Sequence, residues 1–188
     1  LGEPNSVFLE ILSKVLNRKS VKKKIYYPII IIGSKNLVLS QLKKLNKKLN
    51  FQILNEISNK TIFKNRIYLK NIDYKFNKPF EQISVKSKKY LSACFKSALK
   101  YINLGISDII INGPISKKHF LQNKYPGITE YIFENSKVKI AKNPVMLIYN
   151  KNLSVSPIST HIPLKEVYKK IKKNIIINNI ITINNFYK

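Results

Sequence analysis

The sequence predicts an α/β fold in which a parallel β-sheet is flanked by helices. Short runs of β-branched residues alternate with segments whose apolar residues recur at helical spacing, which is the pattern of βαβ units. The run at residues 26–32 is almost entirely apolar and is closed by Gly33, as expected for a strand buried on both faces of a parallel sheet. A hydrophobic content of 44% in 188 residues is enough for one domain, or for one domain and part of a second.

The first half of the chain contains the longest predicted elements. Apolar residues on one helical face predict helices over residues 6–17, 36–45 and 84–104. Continuous or alternating apolar runs predict strands at residues 26–32, 51–57 and 66–72. Ser6 is the predicted N-cap of the first helix, and Gly105 is the expected stop of the third.

The second half contains shorter elements. A predicted strand at residues 108–111 ends abruptly at Asn112-Gly113-Pro114. Short helices are predicted at residues 117–122 and 129–135, and a hairpin is predicted from strands at 145–149 and 153–157. Beyond residue 164 the chain becomes helical, with Val167, Ile171 and Ile175 in register, and its Asn/Ile-rich tail at 174–185 is low in complexity.

The formal charge of +26 has two interpretations. A basic surface of this size is typical of proteins that bind nucleic acid or anionic membranes. The lysines are scattered from Lys14 to Lys188, and Lys, Asn and Ile together dominate the composition. There is also no aromatic RNA-binding signature. We therefore attribute the charge to residue usage, and a nucleic-acid-binding module is the least favoured alternative.

Several classes of protein are excluded by simple counts. No stretch approaches the roughly 18 uncharged apolar residues of a membrane span, and Glu3 and Glu10 do not fit a signal peptide. The single cysteine, Cys94, excludes an internal disulfide framework and a cysteine-based zinc site. The expected location is the cytoplasm. Because the chain begins with Leu1 rather than Met and stops at Lys188 just after an Asn-rich stretch, both ends look cut, although processing of the N-terminus would also remove the Met.

An anion site is predicted at the edge of the sheet. Ligands of open α/β sheets bind beyond the carboxyl ends of the strands, and three segments are expected there: residues 1–10, 111–117 and 159–164. In the second segment, Gly113 allows a ligand to approach the backbone and Lys117 offers a cation. A Gly-Pro pair after a strand is also the ordinary sequence of a turn, and that alternative stays open.

The two histidines have different predicted positions. His161 follows a predicted strand, where a neutral ring nitrogen can bind a divalent metal, although a hydrogen-bonded structural histidine is the alternative. His119 lies on a predicted helix and is expected at the surface. Residues 126–130 begin a helix whose free N–H groups can hold an anion. There is no dinucleotide fingerprint, P-loop or nucleophile elbow, so these features alone predict an α/β domain with an anion site.

Four segments resemble, in order, motifs of the 4-hydroxythreonine-4-phosphate dehydrogenase family of pyridoxal phosphate biosynthesis. Residues 2–4 (Gly-Glu-Pro) with Glu10 are similar to the family's Gly-(Asp/Glu)-Pro-Ala-Gly-Ile-Gly-Pro-Glu loop. Residues 108–117 resemble its strand and Thr-Gly-Pro-(Ile/Val)-x-Lys turn. Residues 125–131 are similar to its Phe-x-Gly-His-Thr-Glu-Phe segment, and residues 159–164 resemble its Thr-Thr-His-(Ile/Leu)-Pro-Leu motif.

The resemblance implies an isocitrate/isopropylmalate-dehydrogenase-like α/β sheet with flanking helices, truncated in this chain. Residues 1–124 would form an incomplete first domain and residues 125–188 the beginning of a second. The implied protein is a cytoplasmic homodimer that uses NAD and a divalent metal (Zn, Mg or Co). It oxidises 4-phosphooxy-threonine, or a related small phosphorylated hydroxy acid, with decarboxylation. A metal would polarise the substrate hydroxyl and carboxylate.

The resemblance also implies roles for individual residues. His161 would be one metal ligand, and Thr129 and Lys117 would bind the substrate. The family histidine that precedes the threonine is Ile128 here, so a hydrogen-bonding group is replaced by an apolar one. The N-terminal loop lacks the family's two later glycines, having Asn5-Ser6-Val7-Phe8-Leu9 instead.

The family's chains are longer, and their remaining metal ligands and most of the NAD site lie in the half that follows these motifs. The chain is therefore expected to be inactive on its own. The alternative is a short, non-catalytic relative that binds a phosphorylated metabolite or a partner protein.

Overall fold

The structure, a computed structural model, describes residues 2–18, 27–55, 66–137, 144–160 and 162–188. Within these ranges the helices are α1 (Phe8–Asn17), α2 (Lys35–Lys44), α3 (Lys88–Asn103), α4 (Lys117–Phe120), α5 (Ile128–Asn135), α6 (Val167–Lys170) and α7 (Lys173–Tyr187). The strands are β1 (Ile29–Gly33), β2 (Gln52–Leu54) and β3 (Ile67–Asn71), and single 3-10 turns occupy Val85–Ser87 and Leu164–Glu166. The start of the first predicted strand, the end of the second, and His161 lie outside the described residues.

The three strands form a parallel sheet in the order β1-β3-β2, which confirms the predicted fold class. The central strand β3 pairs with β1 from Ile29↔Ile67 to Gly33↔Asn71 and with β2 on its other side. Leu69, in the middle of β3, is 0% exposed. All three strands therefore present their carboxyl ends at one edge, where ligands of such sheets bind.

One hydrophobic cluster lies between the sheet and helices α1 and α2. Its buried members are Leu9, Leu16, Ile31, Val38, Leu42, Leu49 and Leu69. Helix α1 buries Leu9, Ser13 and Leu16, which share a face at helical spacing. Helix α2 begins at Ser34, whose hydroxyl accepts a hydrogen bond from the backbone N–H of Leu37 (3.4 Å).

A second hydrophobic cluster is built around helix α3 and is rich in aromatic residues. Its buried members are Tyr90, Leu91, Cys94, Phe95, Phe120 and Leu121. Helix α5 adds Tyr131, whose ring meets those of Phe95 and Phe120 edge-on at 5.3 and 5.1 Å between centroids. The Tyr90 hydroxyl accepts a hydrogen bond from the backbone N–H of Ser34 (3.0 Å), which joins this cluster to the end of β1. Burial raises the pKa of Tyr90 above its ordinary value.

The predicted strand at residues 108–111 is wrong: this segment has no regular secondary structure. Ile109 and Ile111 are 74% and 79% exposed. The Ser107 hydroxyl donates to the carbonyl of Ile109 (3.0 Å) and accepts from its N–H (3.2 Å), which satisfies locally the groups that a strand would pair. A strand needs a neighbour, and among the described residues none pairs with this segment.

Other boundaries differ from the predictions for local reasons. Helix α1 starts after Val7, and the Ser6 hydroxyl accepts from the N–H of Phe8 (3.3 Å) without acting as the N-cap. The predicted hairpin is reduced to one antiparallel bridge between Ile148 and Val155. The helical register beyond residue 164 breaks at Ile171, which is extended, within a lysine-rich stretch whose like charges disfavour a continuous helix. Gly105 ends α3 at φ 66°, as predicted.

Among the described residues, none of the helices is both long enough and apolar enough to cross a membrane. Helix α7 has no buried residue, and Ile177, Ile180, Ile181 and Phe186 lie at its surface.

Leu37→Ala should lower the free energy of unfolding by about 2–5 kcal/mol, because Leu37 is 0% exposed and truncation leaves a cavity. The control is Leu39→Ala on the same helix, where the side chain is 46% exposed and the loss should be about 0.5 kcal/mol. Urea denaturation followed by far-UV circular dichroism measures both. Equal losses of unfolding free energy in the two variants would contradict the complete burial of Leu37.

Candidate functional site

The candidate site is built on a close crossing of two loops, residues 2–6 and residues 112–116. The backbone N–H of Glu3 donates to the carbonyl of Pro114 (2.9 Å). A Cβ on Gly2 would lie 2.8 Å from backbone atoms of Gly113 and Pro114, and a Cβ on Gly113 would lie 2.3 Å from Cγ of Phe8. Position 2 therefore requires glycine because a Cβ would overlap the opposite backbone, and position 113 requires it because a Cβ would overlap the Phe8 side chain.

Other hydrogen bonds hold the N-terminal loop in place. The Gln41 side-chain amide, 2% exposed on α2, donates to the carbonyl of Pro4 (2.6 Å). The Asn5 side-chain carbonyl accepts from the backbone N–H of Glu81 (3.1 Å). The loop is thus fixed to α2, to the segment before α3, and to the 112–116 loop, although it has lost the family's later glycines.

Glu3 is the most unusual side chain of the crossing. It is 3% exposed, and neither carboxyl oxygen has a hydrogen-bond partner among the described residues. Burial raises the pKa of Glu3, while the neighbouring Ser87 side chain and the charge on His119 act in the opposite direction. An unpartnered buried carboxyl is costly, so a specific cause is required.

The segment that follows the crossing carries Lys117 at an exposed position, as the first residue of α4. Ser116 precedes it, and its hydroxyl is 2.7 Å from Nδ1 of His119. His119 is partly buried and interacts electrostatically with Glu3, so the prediction that it is a simple surface residue is wrong. Helical spacing predicted the position of His119 on α4. Its proximity to Glu3 was not predicted, because it arises from the crossing of two loops that are distant in sequence.

Helix α4, which begins with Lys117, and helix α5 both pack against α3. Thr129 is exposed in the first turn, where backbone N–H groups have no partner within the helix. Ile128 is half-buried and packs against the aromatic cluster. The apolar replacement of the family histidine therefore contributes to the core.

The residues expected to hold a metal are not assembled in the part of the chain that the structure describes. His161 lies outside it, and its neighbours Ser159 and Thr160 are half-buried. No group of three His, Cys, Asp or Glu residues suited to a metal ion occurs among the described residues. The described side chains therefore do not make up a complete metal site.

A second feature, not predicted from the sequence, is an open cleft of about 530 Å³ near the carboxyl ends of β1 and β3. It is lined by Asn36, Tyr74, Lys75, Phe76, Asn77, Glu81 and Lys86. The Tyr74 and Phe76 rings are nearly parallel, with centroids 6.4 Å apart. No motif marks these residues, because Asn36 lies on α2 and the others come from the segment between β3 and α3, where the residue types are ordinary.

Comparison with known proteins gives a match over residues 24–188 to the family described as pyridoxal phosphate biosynthetic protein PdxA. The chain is similar to the 4-hydroxythreonine-4-phosphate dehydrogenase of Sulfurihydrogenibium sp. (strain YO3AOP1), with 34% identity over 190 residues, covering 100% of this chain and 56% of the relative. The protein of the same name from Aquifex aeolicus (strain VF5) is 29% identical over 184 residues, covering 96% of this chain and 54% of the relative. The chain thus spans about half the length of the curated relatives it matches.

Solved structures share the fold. A 4-hydroxythreonine-4-phosphate dehydrogenase from Klebsiella pneumoniae superposes with a TM-score of 0.74 at 19% identity, covering 99% of this chain and 56% of that chain. One from Burkholderia phymatum has a TM-score of 0.73 at 22% identity, covering 95% of this chain and 54% of that chain. At these identities the likeness concerns the fold alone.

Gly113→Ala should destabilise the chain by about 1–3 kcal/mol, because the added methyl group overlaps the Phe8 ring. The cost should be smaller in a Phe8→Ala background, where the closest ring atoms are gone. Urea denaturation of the four proteins of this double-mutant cycle measures the coupling. Fully additive losses would mean that the Phe8 side chain does not lie against Gly113 in solution.

Proposed function

Because this chain belongs to the family of the pyridoxal phosphate biosynthetic protein PdxA, we propose that it is part of a dehydrogenase in pyridoxal phosphate biosynthesis. The substrate is 4-phosphooxy-threonine or a related phosphorylated hydroxy acid, which the whole protein oxidises with decarboxylation. The observation that carries this proposal is the Gly2–Gly113 crossing. It joins two family-like segments at one point of the fold, and Lys117 follows directly.

The role of this chain is to bind the phosphate group of the substrate. Lys117 supplies a mobile cation that can pair with phosphate oxygens. Thr129 supplies a hydroxyl beside the free N–H groups of the first turn of α5. Glu130 lies in the same turn and partly offsets the attraction for an anion, so Lys117 contributes more than Thr129.

The proposal includes NAD as the hydride acceptor and a divalent metal (Zn, Mg or Co), with His161 as one metal ligand. In this proposal the other ligands and most of the NAD site belong to the part of the longer protein that this chain does not contain.

We further propose that the first domain is incomplete and that the whole protein is a cytoplasmic homodimer. The exposed Ile109 and Ile111 support an incomplete sheet, since a longer chain can pair the 108–111 segment and cover them. In this proposal residues 1–124 belong to the first domain and residues 125–188 begin the second, and Tyr131 of helix α5 contacts Phe95 of α3 across that boundary.

Lys117→Ala should weaken binding of 4-phosphooxy-threonine by about tenfold, because a hydrogen bond to a charged group contributes about 1.5–3 kcal/mol. Thr129→Ala should weaken it less. Lys118→Ala is the matched control, since Lys118 is the exposed neighbour of Lys117 and should have little effect. Isothermal titration calorimetry at fixed ionic strength measures all three. Equal effects of Lys117→Ala and Lys118→Ala would indicate a diffuse attraction of the basic surface and contradict the proposed site.

A further inference from the structure

The buried carboxyl of Glu3 has no role in the function proposed above. It lies beneath the loop crossing, 3% exposed, with both oxygens unpartnered among the described residues. Its own backbone N–H donates to the carbonyl of Pro114, which holds the residue at the crossing. The groups that surround Glu3 must explain why an unpartnered carboxyl is buried there.

Ser87 is one neighbour of Glu3, but it does not offset the cost of burying the carboxyl. The Ser87 hydroxyl donates to the carbonyl of Ser84 (3.0 Å), so its single proton is already in use. Burial raises the pKa of Glu3 by more than the Ser87 side chain lowers it.

The charged surroundings do not supply a strong partner either. The titratable groups that interact with Glu3 are His119 on α4 and Tyr74 in the segment after β3. The Nδ1 atom of His119 is already bonded to the Ser116 hydroxyl (2.7 Å). Among the described residues, no lysine or arginine forms a salt bridge with Glu3.

We propose that Glu3 is a positioning residue that carries a proton at neutral pH and so keeps the loop crossing uncharged beneath the anion site. A neutral carboxyl avoids the cost of a buried, unpaired charge. It also removes a negative charge from beside the segment that leads to Lys117, where a phosphate group would be repelled by it. This second part rests on the proposed role of Lys117.

The effect on stability has a definite sign. Because the pKa of Glu3 is raised on folding, its contribution to stability is fully present below the unfolded-state pKa. It is lost as the pH rises through the folded-state pKa. Glu3→Gln keeps the shape and a donor but cannot ionise, so its stability should not fall over this window.

The decisive experiment is carbon-13 NMR of the chain labelled at its glutamate carboxyl carbons. The Glu3 signal is identified by its loss in Glu3→Gln. Glu10 is the internal control, because its hydrogen bond and attraction to Lys14 lower its pKa and it is ionised at pH 7. We expect the Glu3 carboxyl to have the chemical shift of a protonated group at pH 7. The shift of an ionised carboxylate at pH 7 would overturn the proposal.

Binding of inorganic phosphate at several pH values tests the coupling to the anion site. In the wild type the affinity for phosphate should fall severalfold as Glu3 ionises. The Glu3→Gln variant is the control, because it shows the change caused by the titration of phosphate itself, and the fall in the wild type should be larger. Identical pH profiles would overturn the coupling. Failure of the wild type to bind phosphate at any pH would overturn the Lys117 role in the proposed function, while the NMR result would still decide the protonation of Glu3.

Discussion

The contact between Gly2 and the Gly113-Pro114 backbone is the constraint on which the rest of the site depends. Gly2 can lie this close to the Gly113-Pro114 backbone because it has no Cβ, and the Glu3–Pro114 hydrogen bond fixes the register of the two segments. The contact fixes where α1 begins, with Phe8 against Gly113, and where the segment leading to Lys117 lies. Hydrogen bonds of the Gln41 and Asn5 side chains hold the remainder of the N-terminal loop.

The fold was largely predictable where a pattern is local. The isoleucine run closed by Gly33 predicted β1, and Ser34 caps the following helix as its residue type allows. The segment at 108–111 has an equally convincing strand pattern but is not a strand, because strand formation depends on a neighbour that the described residues do not supply. The partial burial of His119 and the complete burial of Glu3 were not predictable, since both arise from contacts between residues distant in sequence.

Three glutamates show how environment decides the chemistry of one residue type. Glu10 is solvated and paired with Lys14, and Glu81 accepts from the N–H groups of Asn77 and Lys78, so the pKa of each is lowered. Glu3 is buried, and its pKa is raised. In a chain with 35 basic and 9 acidic residues, attraction of anions is general. Selectivity for a phosphate ester must therefore come from the few groups whose positions the loop crossing fixes.

The most direct test of this account is a nitrogen-15 NMR titration of the chain with 4-phosphooxy-threonine at moderate salt. The largest changes in amide chemical shift are expected at Gly113, Lys117 and Thr129. The amide of Glu3 should also shift, because it donates to the carbonyl of Pro114. Amides of the exposed pair Lys43 and Lys44, at the far end of α2, should not respond. Chemical-shift changes spread evenly over the lysine-rich surface, with none concentrated at the loop crossing, would contradict the proposal that the crossing positions the phosphate-binding residues.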